Sequence, residues 1–521
     1  MTWMIRLAFV LSLLAPSAGA LAQERITLLP HESEGYGITS VLPDGWTDAG
    51  QGIFTRQRSD DDPTVIAQQS APFAAEDVLA SLLPQLSLTE APESVGTRQE
   101  GALLWTLYQV DVSIGTIVLA VDLALAEQDA TTYIVLLQTT PDEYDELHGT
   151  VFLPVLDAFA PLVVEQETVP YDVEAVTFAN GDVTLAGTLT LPPTEGPHPA
   201  IVLVSGSGPQ DRDETLGGGI AIRPFRLLAD ALTRAGVAVL RYDDRGVGDS
   251  TGTFATATTQ DFASDADTAI RYLLIREEID AGQIGVLGHS EGGLVAAILG
   301  ARNPDLDFII SLAGPGVNGR DVLLLQNERI LEAEDATPEQ IAAQRAFIEE
   351  AITLLDDPAA LEALVFRHTL EQAEALPEAE RAGLGDLEQY ARVVAEQALS
   401  QFGAAWFASF LAYDPAADWA QTTVPVLAIF GGKDVQVDAE QNAPAMERAL
   451  AEAGNDDVEI IVLPNANHLF QEADTGGLTE YTTLPAAFTP DLVPTIVGWL
   501  QGQGFIAGSP AATPVSATPI P

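Results

Sequence analysis

The sequence contains no cysteine among its 521 residues. A disulfide framework, a thiolate metal site and a lipid-modified cysteine are therefore excluded. Histidine is scarce, with six residues, and the H-E-x-x-H pattern of a zinc-binding helix is absent. We accordingly expect neither a metal ion nor any other cofactor.

Positive charge is also nearly absent. Lys433 is the only lysine, and the formal net charge is -54. Repulsion from phosphate excludes nucleic acid as a partner and makes anionic membranes poor ones. Such an acidic composition indicates a well-solvated surface, with adaptation to saline surroundings as a second explanation, and does not bear on the chemistry.

Long apolar runs are missing too, because no segment reaches the roughly 18 consecutive apolar residues typical of a membrane helix. The amino terminus has a charged start (Met1–Arg6), a short apolar run (Leu7–Leu14) and an A-x-A site (Ala20–Ala22). This pattern predicts a signal peptide over residues 1–22. A membrane anchor is the alternative, but the run is too short to cross about 30 Å of hydrocarbon. We expect a secreted protein, extracellular or periplasmic, with no membrane association after cleavage.

The rest of the chain is predicted to form two domains. Gln23–Leu162 carries strand patterns at Ile117–Leu123 and Thr132–Gln138 and a helical segment at Asp142–Phe159. These patterns are typical of a small α+β domain. Its short VLPDGW segment resembles domains of the PsbP-like type. Since this domain shows no catalytic constellation, we expect it to bind or to act as a scaffold.

A turn-rich linker is predicted over Val163–Val173. Strands and helices then alternate over residues 174–506, which predicts a mostly parallel sheet covered by helices on both faces. The alternation stops over residues 317–421, where glutamate- and alanine-rich segments predict an inserted helical cap. The Pro-, Ala- and Thr-rich residues 507–521 are predicted to be disordered.

The segment Ile284–Gly293, IGVLGHSEGG, predicts a buried strand, a G-x-S-x-G turn and a helix. A serine on such a turn projects its hydroxyl above the sheet, and the glycines leave room for the strained backbone. The pattern alone is weak, and the strand before it and the helix after it make it specific. Ser290 is therefore the predicted nucleophile.

A serine nucleophile needs a base and an acid that orients the base, in the chain order Ser, Asp, His for this kind of sheet. Asp434 follows the predicted strand Val424–Phe430, and His468 follows the predicted strand Val458–Leu463. Sites in open α/β sheets form at such strand ends, so these residues can converge with Ser290.

Other residues could fill the same roles. Asp438 is an alternative acid, a few residues after Asp434. Of the remaining histidines, His31 and His148 lie in the first domain, and His198 lies before a strand. His289 lies beside the predicted nucleophile, and His368 lies in the cap. Because His468 alone occupies the loop after a late strand beyond Asp434, we predict it as the base.

Two backbone amides are needed to stabilise the oxyanion that forms when Ser290 attacks. The residue after the nucleophile, Glu291, supplies one of them. The second comes from the loop after an early strand, Val204–Pro209 in this sequence. We predict the amide of Ser207, with that of Gly206 as the alternative.

Four segments together resemble α/β-hydrolases of the EstD-type esterase family, which is similar to the serine aminopeptidase S33-like and acyl-CoA thioester hydrolase families. They are Ser205–Glu214 (SGSGPQDRDE), Arg241–Ser250 (RYDDRGVGDS), the GHSEGG turn and the GGKD segment. The resemblance covers about Val173–Phe505 and does not extend to the first domain. It implies an α/β-hydrolase fold.

The resemblance also implies hydrolysis of carboxylic esters through an acyl-enzyme, with Ser290, Asp434 and His468 as the triad. Asp244 and Arg245, and likewise residues 211–214, are expected to brace the loops near the site. We expect a small-molecule ester of short to medium acyl chain as substrate, and nothing indicates an oligomeric state. The alternatives are an aminopeptidase or acyl thioesterase on the same fold, and a binding protein without catalysis.

The cap is expected to cover the site and to set the acyl-chain preference, since both of its ends emerge at the catalytic edge. Its aromatic residues are candidates to line the cavity or to form the cap's own core: Phe366, Trp406, Phe407 and Phe410.

Overall fold

The structure is a computed structural model, and it describes residues 26–507 except residues 34, 57, 59–61, 72, 84–85, 87, 89, 115–116, 129–130, 163–168, 218, 377–380, 382–383, 385–386 and 403–404. The predicted signal peptide, residues 163–168 of the predicted linker and the predicted tail from residue 508 onward lie outside the described residues. Within the described part of the chain, no helix has both the length and the apolar character needed to cross a membrane.

The amino-terminal part is built on a seven-stranded antiparallel sheet in the order β3-β4-β5-β9-β8-β7-β6. Its strands are β3 (Thr47–Asp48), β4 (Ile53–Thr55), β5 (Val65–Ala71), β6 (Gly96–Glu100), β7 (Leu103–Ile114), β8 (Ile117–Gln128) and β9 (Thr131–Thr139). A smaller antiparallel sheet joins β1 (Leu28–Ser33), β2 (Ile38–Pro43) and β10 (Ala160–Pro161).

Both faces of the larger sheet are covered. Along β9, Ile134 and Leu136 belong to one apolar cluster, whereas Val135 and Leu137 belong to another. This alternation is expected for a strand whose successive side chains point to opposite faces. Helix α1 (Ala75–Leu82) packs in the first cluster. The small α+β domain expected from the sequence is thus confirmed.

The second face is covered by α2 (Tyr144–Leu147), a π-helical turn (His148–Phe152) and α3 (Leu153–Ala158). These three segments follow one another without a break, so the helical segment predicted at Asp142–Phe159 is present over Tyr144–Ala158. The Leu153 N–H donates to the carbonyl of His148 five residues earlier. Pro154 has no N–H to continue the α-helical pattern, so the helix is widened at this point.

The second part of the chain contains an eight-stranded sheet in the order β11-β12-β14-β13-β15-β16-β17-β18. The pairs β11–β12 and β12–β14 are antiparallel, and the other neighbours are parallel. The strands are β11 (Asp172–Asn180), β12 (Val183–Leu191), β13 (His198–Val204), β14 (Ala238–Tyr242), β15 (Ile279–His289), β16 (Phe308–Leu312), β17 (Val426–Gly431) and β18 (Val458–Leu463).

The parallel strands at the centre of this sheet are continuous apolar runs. All residues of β16 and β17 are buried, as expected where helices cover both faces. The helices that precede the cap are α4 (Pro224–Arg234), α5 (Thr259–Leu274) and α6 (Glu291–Arg302). The mostly parallel, doubly covered sheet predicted from the sequence is confirmed.

The described residues between β16 and β17 form helices, as predicted. They are α7 (Gly319–Ala333), α8 (Pro338–Thr353), α9 (Pro358–Ala375), α10 (Leu387–Phe402), α11 (Ala405–Ala412) and α12 (Ala416–Trp419). The side chains of Asn318, Thr337 and Asp357 cap the first three by accepting a backbone N–H. After the cap, α13 (Ala439–Glu452) and α14 (Leu492–Gly502) complete the helical layers.

Candidate active site

Ser290 lies on the turn between β15 and α6, with φ 54° and ψ -117°. Two close approaches explain the flanking glycines. A Cβ atom on Gly288 would lie 2.0 Å from the carbonyl oxygen of Gly292, and one on Gly292 would lie 2.1 Å from that of Val204. The backbone strain at Ser290 is therefore imposed by tight packing of the turn against β13 and α6.

Asp434 and His468 form a buried pair, with 2.8 Å between Asp434 Oδ2 and His468 Nδ1. The other carboxylate oxygen of Asp434 accepts the amides of Gln436 at 2.7 Å and Val437 at 2.9 Å. Since a carboxylate accepts, we assign the proton of the neutral imidazole to Nδ1. This tautomer leaves Nε2 of His468 able to accept a proton.

The side chains of Ser290 and His468 line the same cavity, of about 280 Å³. Ser290 follows β15, Asp434 follows β17 and His468 follows β18, so all three lie at the carboxyl edge of the parallel strands. The structure thus brings the three predicted residues to one edge. No hydrogen bond joins Ser290 to His468 among the described residues, and such bonds are often long before substrate binds.

The alternative acid, Asp438, has a different environment. It is the N-cap of α13, where its Oδ1 accepts the amide of Gln441 at 2.9 Å, and its Oδ2 lies 3.1 Å from Arg329 Nε. Its carboxylate is therefore occupied by helix capping and an ion pair with the cap. Asp434 is the acid that contacts His468.

The other histidines contact different groups. His31 packs edge-on against Phe54, and His148 pairs with Asp122 at 2.7 Å. His198 begins β13, and His368 stacks on Phe347 within the cap. His289 lies next to Ser290 and is held by polar contacts as well as by ring contacts with His468 and Phe470.

Glu214 is one of these polar contacts. Its Oε1 lies 2.7 Å from Nδ1 of His289 and accepts the amide of Gly206 at 3.0 Å. Nε2 of His289 lies 2.9 Å from the backbone oxygen of His468. Burial lowers the pKa of His289, but its contacts with Glu214 raise it, and the net direction is upward.

The amide of Gly206 is therefore engaged by Glu214, which leaves the neighbouring amide of Ser207 as the candidate oxyanion donor. In the described part of the chain, neither the amide of Ser207 nor that of Glu291 donates to a protein acceptor. Both residues line the cavity. A Cβ atom on Gly206 would lie 3.1 Å from Cβ of Ser290, which shows how closely this loop approaches Ser290.

The side chain of Glu291 is buried beneath the cap. It accepts Thr259 Oγ1 at 2.6 Å and Trp406 Nε1 at 2.8 Å to each of its oxygens. Burial raises the pKa of the Glu291 carboxyl group, and the hydrogen bonds from Thr259, Trp406 and Ser207 oppose this shift. Glu291 thus ties helix α11 of the cap to the turn that carries Ser290.

The neighbouring acidic and basic residues brace the loops around the site. Asp244 accepts the hydroxyl of Ser205 at 3.1 Å and the amide of Gln210 at 3.0 Å. Arg245 Nε lies 2.7 Å from Asp265 on α5. Burial raises the pKa of Asp244 well above its ordinary range.

Within the residues that the structure describes, no group of three or more histidine, aspartate or glutamate side chains could hold a metal ion.

The cap lines the cavity with Trp406, Phe407 and Phe410, as expected from the sequence. Phe366 is not part of this lining, and packs instead against the apolar cluster inside the cap. Phe347 on α8 lines the cavity in its place. The difference arises because the helix face directed at the cavity depends on how the cap helices pack together, which periodicity along one helix does not determine.

Residues 201–479 match the alpha/beta hydrolase family. Because this match covers more than half of the 521 residues, the chain belongs to the alpha/beta hydrolase family. The sheet order, the turn at Ser290 and the buried Asp434–His468 pair are consistent with that membership.

Esterase EstD of Thermotoga maritima is 27% identical over 303 residues, which are 58% of this chain and 62% of that protein. The match thus spans less than two thirds of that relative. Among solved structures, an esterase of Pyrococcus furiosus is 16% identical, with 65% of this chain and 96% of that chain covered and a TM-score of 0.41. Dienelactone hydrolase of Anabaena variabilis is 16% identical, with 64% and 98% covered and a TM-score of 0.33.

Proposed function

We propose that this protein is a serine esterase that hydrolyses carboxylic esters of short to medium acyl chains through an acyl-enzyme on Ser290. The observation that carries the proposal is the buried Asp434–His468 pair, 2.8 Å apart, which opens on the cavity that Ser290 also lines. A buried carboxylate that orients an imidazole beside a strained serine is the arrangement that acyl transfer needs.

In the proposed mechanism, Nε2 of His468 accepts the proton of Ser290 as the hydroxyl oxygen attacks the ester carbonyl. The amides of Ser207 and Glu291 donate to the oxyanion, and Asp434 stabilises the imidazolium that forms. His468 then gives its proton to the leaving alcohol. Water attacks the acyl-enzyme by the same sequence of proton transfers and releases the acid.

The preference for short to medium acyl groups is supported by the cavity. Its volume of about 280 Å³ is close to the lower end of the roughly 300–1,000 Å³ range of ligand sites. Helices α7, α8 and α11 of the cap contribute to its lining. A long lipid chain would extend beyond a cavity of this volume.

An aminopeptidase on the same fold would need carboxylates in the cap to bind a free amine. The cap residues that line the cavity include no aspartate or glutamate among the described residues. The carboxylate of Glu291, at the floor, already accepts hydrogen bonds from Thr259 and Trp406. These observations favour an ester over an aminoacyl substrate.

The test is a panel of para-nitrophenyl esters, acyl thioesters and aminoacyl nitroanilides, assayed with the natural chain and with Ser290→Ala. We expect ester hydrolysis that Ser290→Ala reduces by several orders of magnitude, because the triad acts as a unit. An active-site fluorophosphonate should label the natural chain on the peptide containing Ser290. Ser94→Ala, at an exposed serine of the amino-terminal part, is the matched control. Ester hydrolysis that survives in Ser290→Ala would overturn the proposal.

Secretion is proposed from the sequence of residues 1–22, which lie outside the described residues. The expected mature protein starts at Gln23. Intact mass measured on protein recovered from outside the cytoplasm tests this, and a mass that includes residues 1–22 would contradict it.

A further inference from the structure

Five carboxamide side chains line the cavity above Ser290. They are Gln210, Gln326, Asn327, Gln344 and Gln436. Gln326 and Asn327 come from α7 and Gln344 from α8, so the cap supplies most of them. A cavity that accommodated only an aliphatic acyl chain would not need such a set.

Several of these amides lack protein partners. Among the described residues, the side chains of Gln326 and Gln344 make no hydrogen bond to protein, and Asn327 uses only its Nδ2, which donates to the carbonyl of Leu323. Gln210 is 93% buried, and its Oε1 has no hydrogen-bond partner. Because Oε1 of Gln210 has almost no accessible surface, the amides that a ligand with O–H donors can reach are those of the half-buried Gln326 and Gln344.

The charges of the lining restrict the ligand further. No arginine or lysine is present in the lining among the described residues. Anionic ligands therefore have no counter-ion here, and the net charge of -54 repels them at long range. The carboxylates present are also engaged, Glu214 by His289 and Glu291 by Thr259 and Trp406. Oε2 of Glu214 has no hydrogen-bond partner, but it is buried, and a cation would have to compete with His289 for this carboxylate.

Aromatic rings complete the lining. Phe347 lies one turn from Gln344 on α8, and Trp406, Phe407 and Phe410 come from α11. Residues three apart on a helix share a face, so Gln344 and Phe347 are placed to contact the same ligand. Flat apolar surfaces beside unpaired carboxamides suit a compact molecule with both apolar faces and hydroxyl edges.

We propose that the preferred substrates are esters of neutral polyhydroxylated compounds, of which an esterified sugar is the model. This inference rests on the proposed esterase function. The polyol could form either half of the ester: the alcohol, as in an acetylated sugar, or the acyl part, as in the methyl ester of a sugar acid. The shared chemistry is a neutral ring with several hydroxyl groups.

The experiment compares kcat/KM within two matched pairs. Glucose acetylated on its primary hydroxyl is compared with cyclohexylmethyl acetate, and methyl glucuronate with methyl cyclohexanecarboxylate. We expect at least a roughly tenfold preference for the polyol in one pair, because a site built around unpaired polar groups discriminates against ligands that leave them unpaired. The pair in which the preference occurs identifies the half of the ester that the carboxamides contact.

Gln344→Met and Gln326→Met keep the length of the side chain and remove its hydrogen bonds. Each should reduce the polyol preference roughly three- to tenfold, as expected for one neutral hydrogen bond. Gln421→Met, at an exposed position of the cap's end, is the matched control and should not change it. Circular dichroism confirms folding of each variant.

The outcomes separate the two proposals. If Ser290-dependent hydrolysis of the cyclohexyl esters occurs without a polyol preference in either pair, the substrate inference is wrong and the esterase proposal stands. A preference that survives both glutamine substitutions would overturn the role of the carboxamides. Absence of Ser290-dependent hydrolysis of every ester in the two pairs would overturn the proposed function itself.

Discussion

Oε1 of Glu214 lies 2.7 Å from Nδ1 of His289, and Nε2 of the same ring lies 2.9 Å from the backbone oxygen of His468. A carbonyl oxygen only accepts, so Nε2 carries a proton, and Nδ1 shares a second proton with Glu214. Oε1 of Glu214 also accepts the amide of Gly206. The pair therefore links the loop that carries Ser207 to the loop that carries His468.

Glu214→Gln should reduce kcat for para-nitrophenyl acetate by up to about a hundredfold with little change in KM. The substitution removes the negative charge that holds the second proton on His289, so the contact with Nδ1 weakens and the loops that carry Ser207 and His468 shift. Small displacements of catalytic groups cost rates of this order. Steady-state kinetics across pH measures the effect. Glu195→Gln, at an exposed loop position, is the control. Equal kcat in Glu214→Gln and the natural chain would show that the pair does not position the site.

The raised pKa of His289 predicts how stability depends on pH. The ordinary value is 6.5, and the folded value lies above it. The stabilisation of the fold by protonated His289 is therefore complete below about pH 6.5. It is lost as the pH rises through the folded pKa, because over this range the folded protein still binds a proton that the unfolded chain has released. Glu214 and Asp434 are the carboxylates whose charges act on this ring. The thermal stability of the natural chain should fall as the pH rises above about 6.5. This fall should be steeper than that of His289→Asn. Parallel pH profiles of the two proteins would contradict the assignment.

Much of the hydrolase sheet could be predicted from the sequence, because its central strands are apolar on both faces. The strand predicted at Val424–Phe430 spans Val426–Gly431, and the strand Val458–Leu463 has the predicted bounds. The positions of Ser290, Asp434 and His468 could also be predicted, since each follows a recognisable strand. Their proximity in the fold follows from parallel strands, whose carboxyl ends share one edge.

Contacts between distant segments could not be predicted in the same way. Glu214 and His289 are separated by 75 residues, and both belong to motifs whose sequence does not indicate which side chains meet. The lining of the cavity by Phe347 in place of Phe366 has the same origin, because it depends on packing between cap helices. The widened helical turn before Pro154 could have been anticipated, since proline removes a helical hydrogen bond.

The turn that carries Ser290 should not tolerate Gly288→Ala. The added Cβ would lie 2.0 Å from the carbonyl oxygen of Gly292, so backbone must move within the turn. We expect loss of nearly all ester hydrolysis and destabilisation by about 1–3 kcal/mol. Gly282→Ala in the same strand is the control, because its Cβ would meet its nearest atom at 3.7 Å. Activity and denaturant unfolding measure both effects. Equal behaviour of the two variants would contradict the packing argument.

The amino-terminal part contacts the loop between Glu214 and α4. A Cβ atom on Gly35 would lie 2.3 Å from the carbonyl oxygen of Gly219. Gly35→Ala should therefore weaken this contact by about 1–3 kcal/mol and increase hydrogen exchange in residues 216–223. Gly149→Ala, where an added Cβ meets no atom within 4 Å, is the control. Unchanged exchange in Gly35→Ala would show that the two parts do not pack together in this way.

The contact between Trp406 and Glu291 predicts how the cap affects acyl-chain preference. Nε1 of Trp406 donates to both oxygens of Glu291 at 2.8 Å, and the indole ring stacks on Phe410 at 5.4 Å. Trp406→Phe keeps an aromatic ring and removes this donor. A buried carboxylate that loses a donor is destabilised by about 1–3 kcal/mol, so α11 should be held less firmly over the cavity and longer acyl groups should be accepted.

The measurement is the ratio of kcat/KM for para-nitrophenyl acetate to kcat/KM for para-nitrophenyl hexanoate. We expect this ratio to fall roughly three- to tenfold in Trp406→Phe, which corresponds to about 1 kcal/mol of selectivity. Tyr390→Phe provides the control, because it removes a polar group from a cap residue that is 38% exposed and does not line the cavity. The control should keep the ratio of the natural chain. If Trp406→Phe also keeps it, the hydrogen bond to Glu291 does not hold the cap, and the acyl preference must come from the walls of the cavity alone.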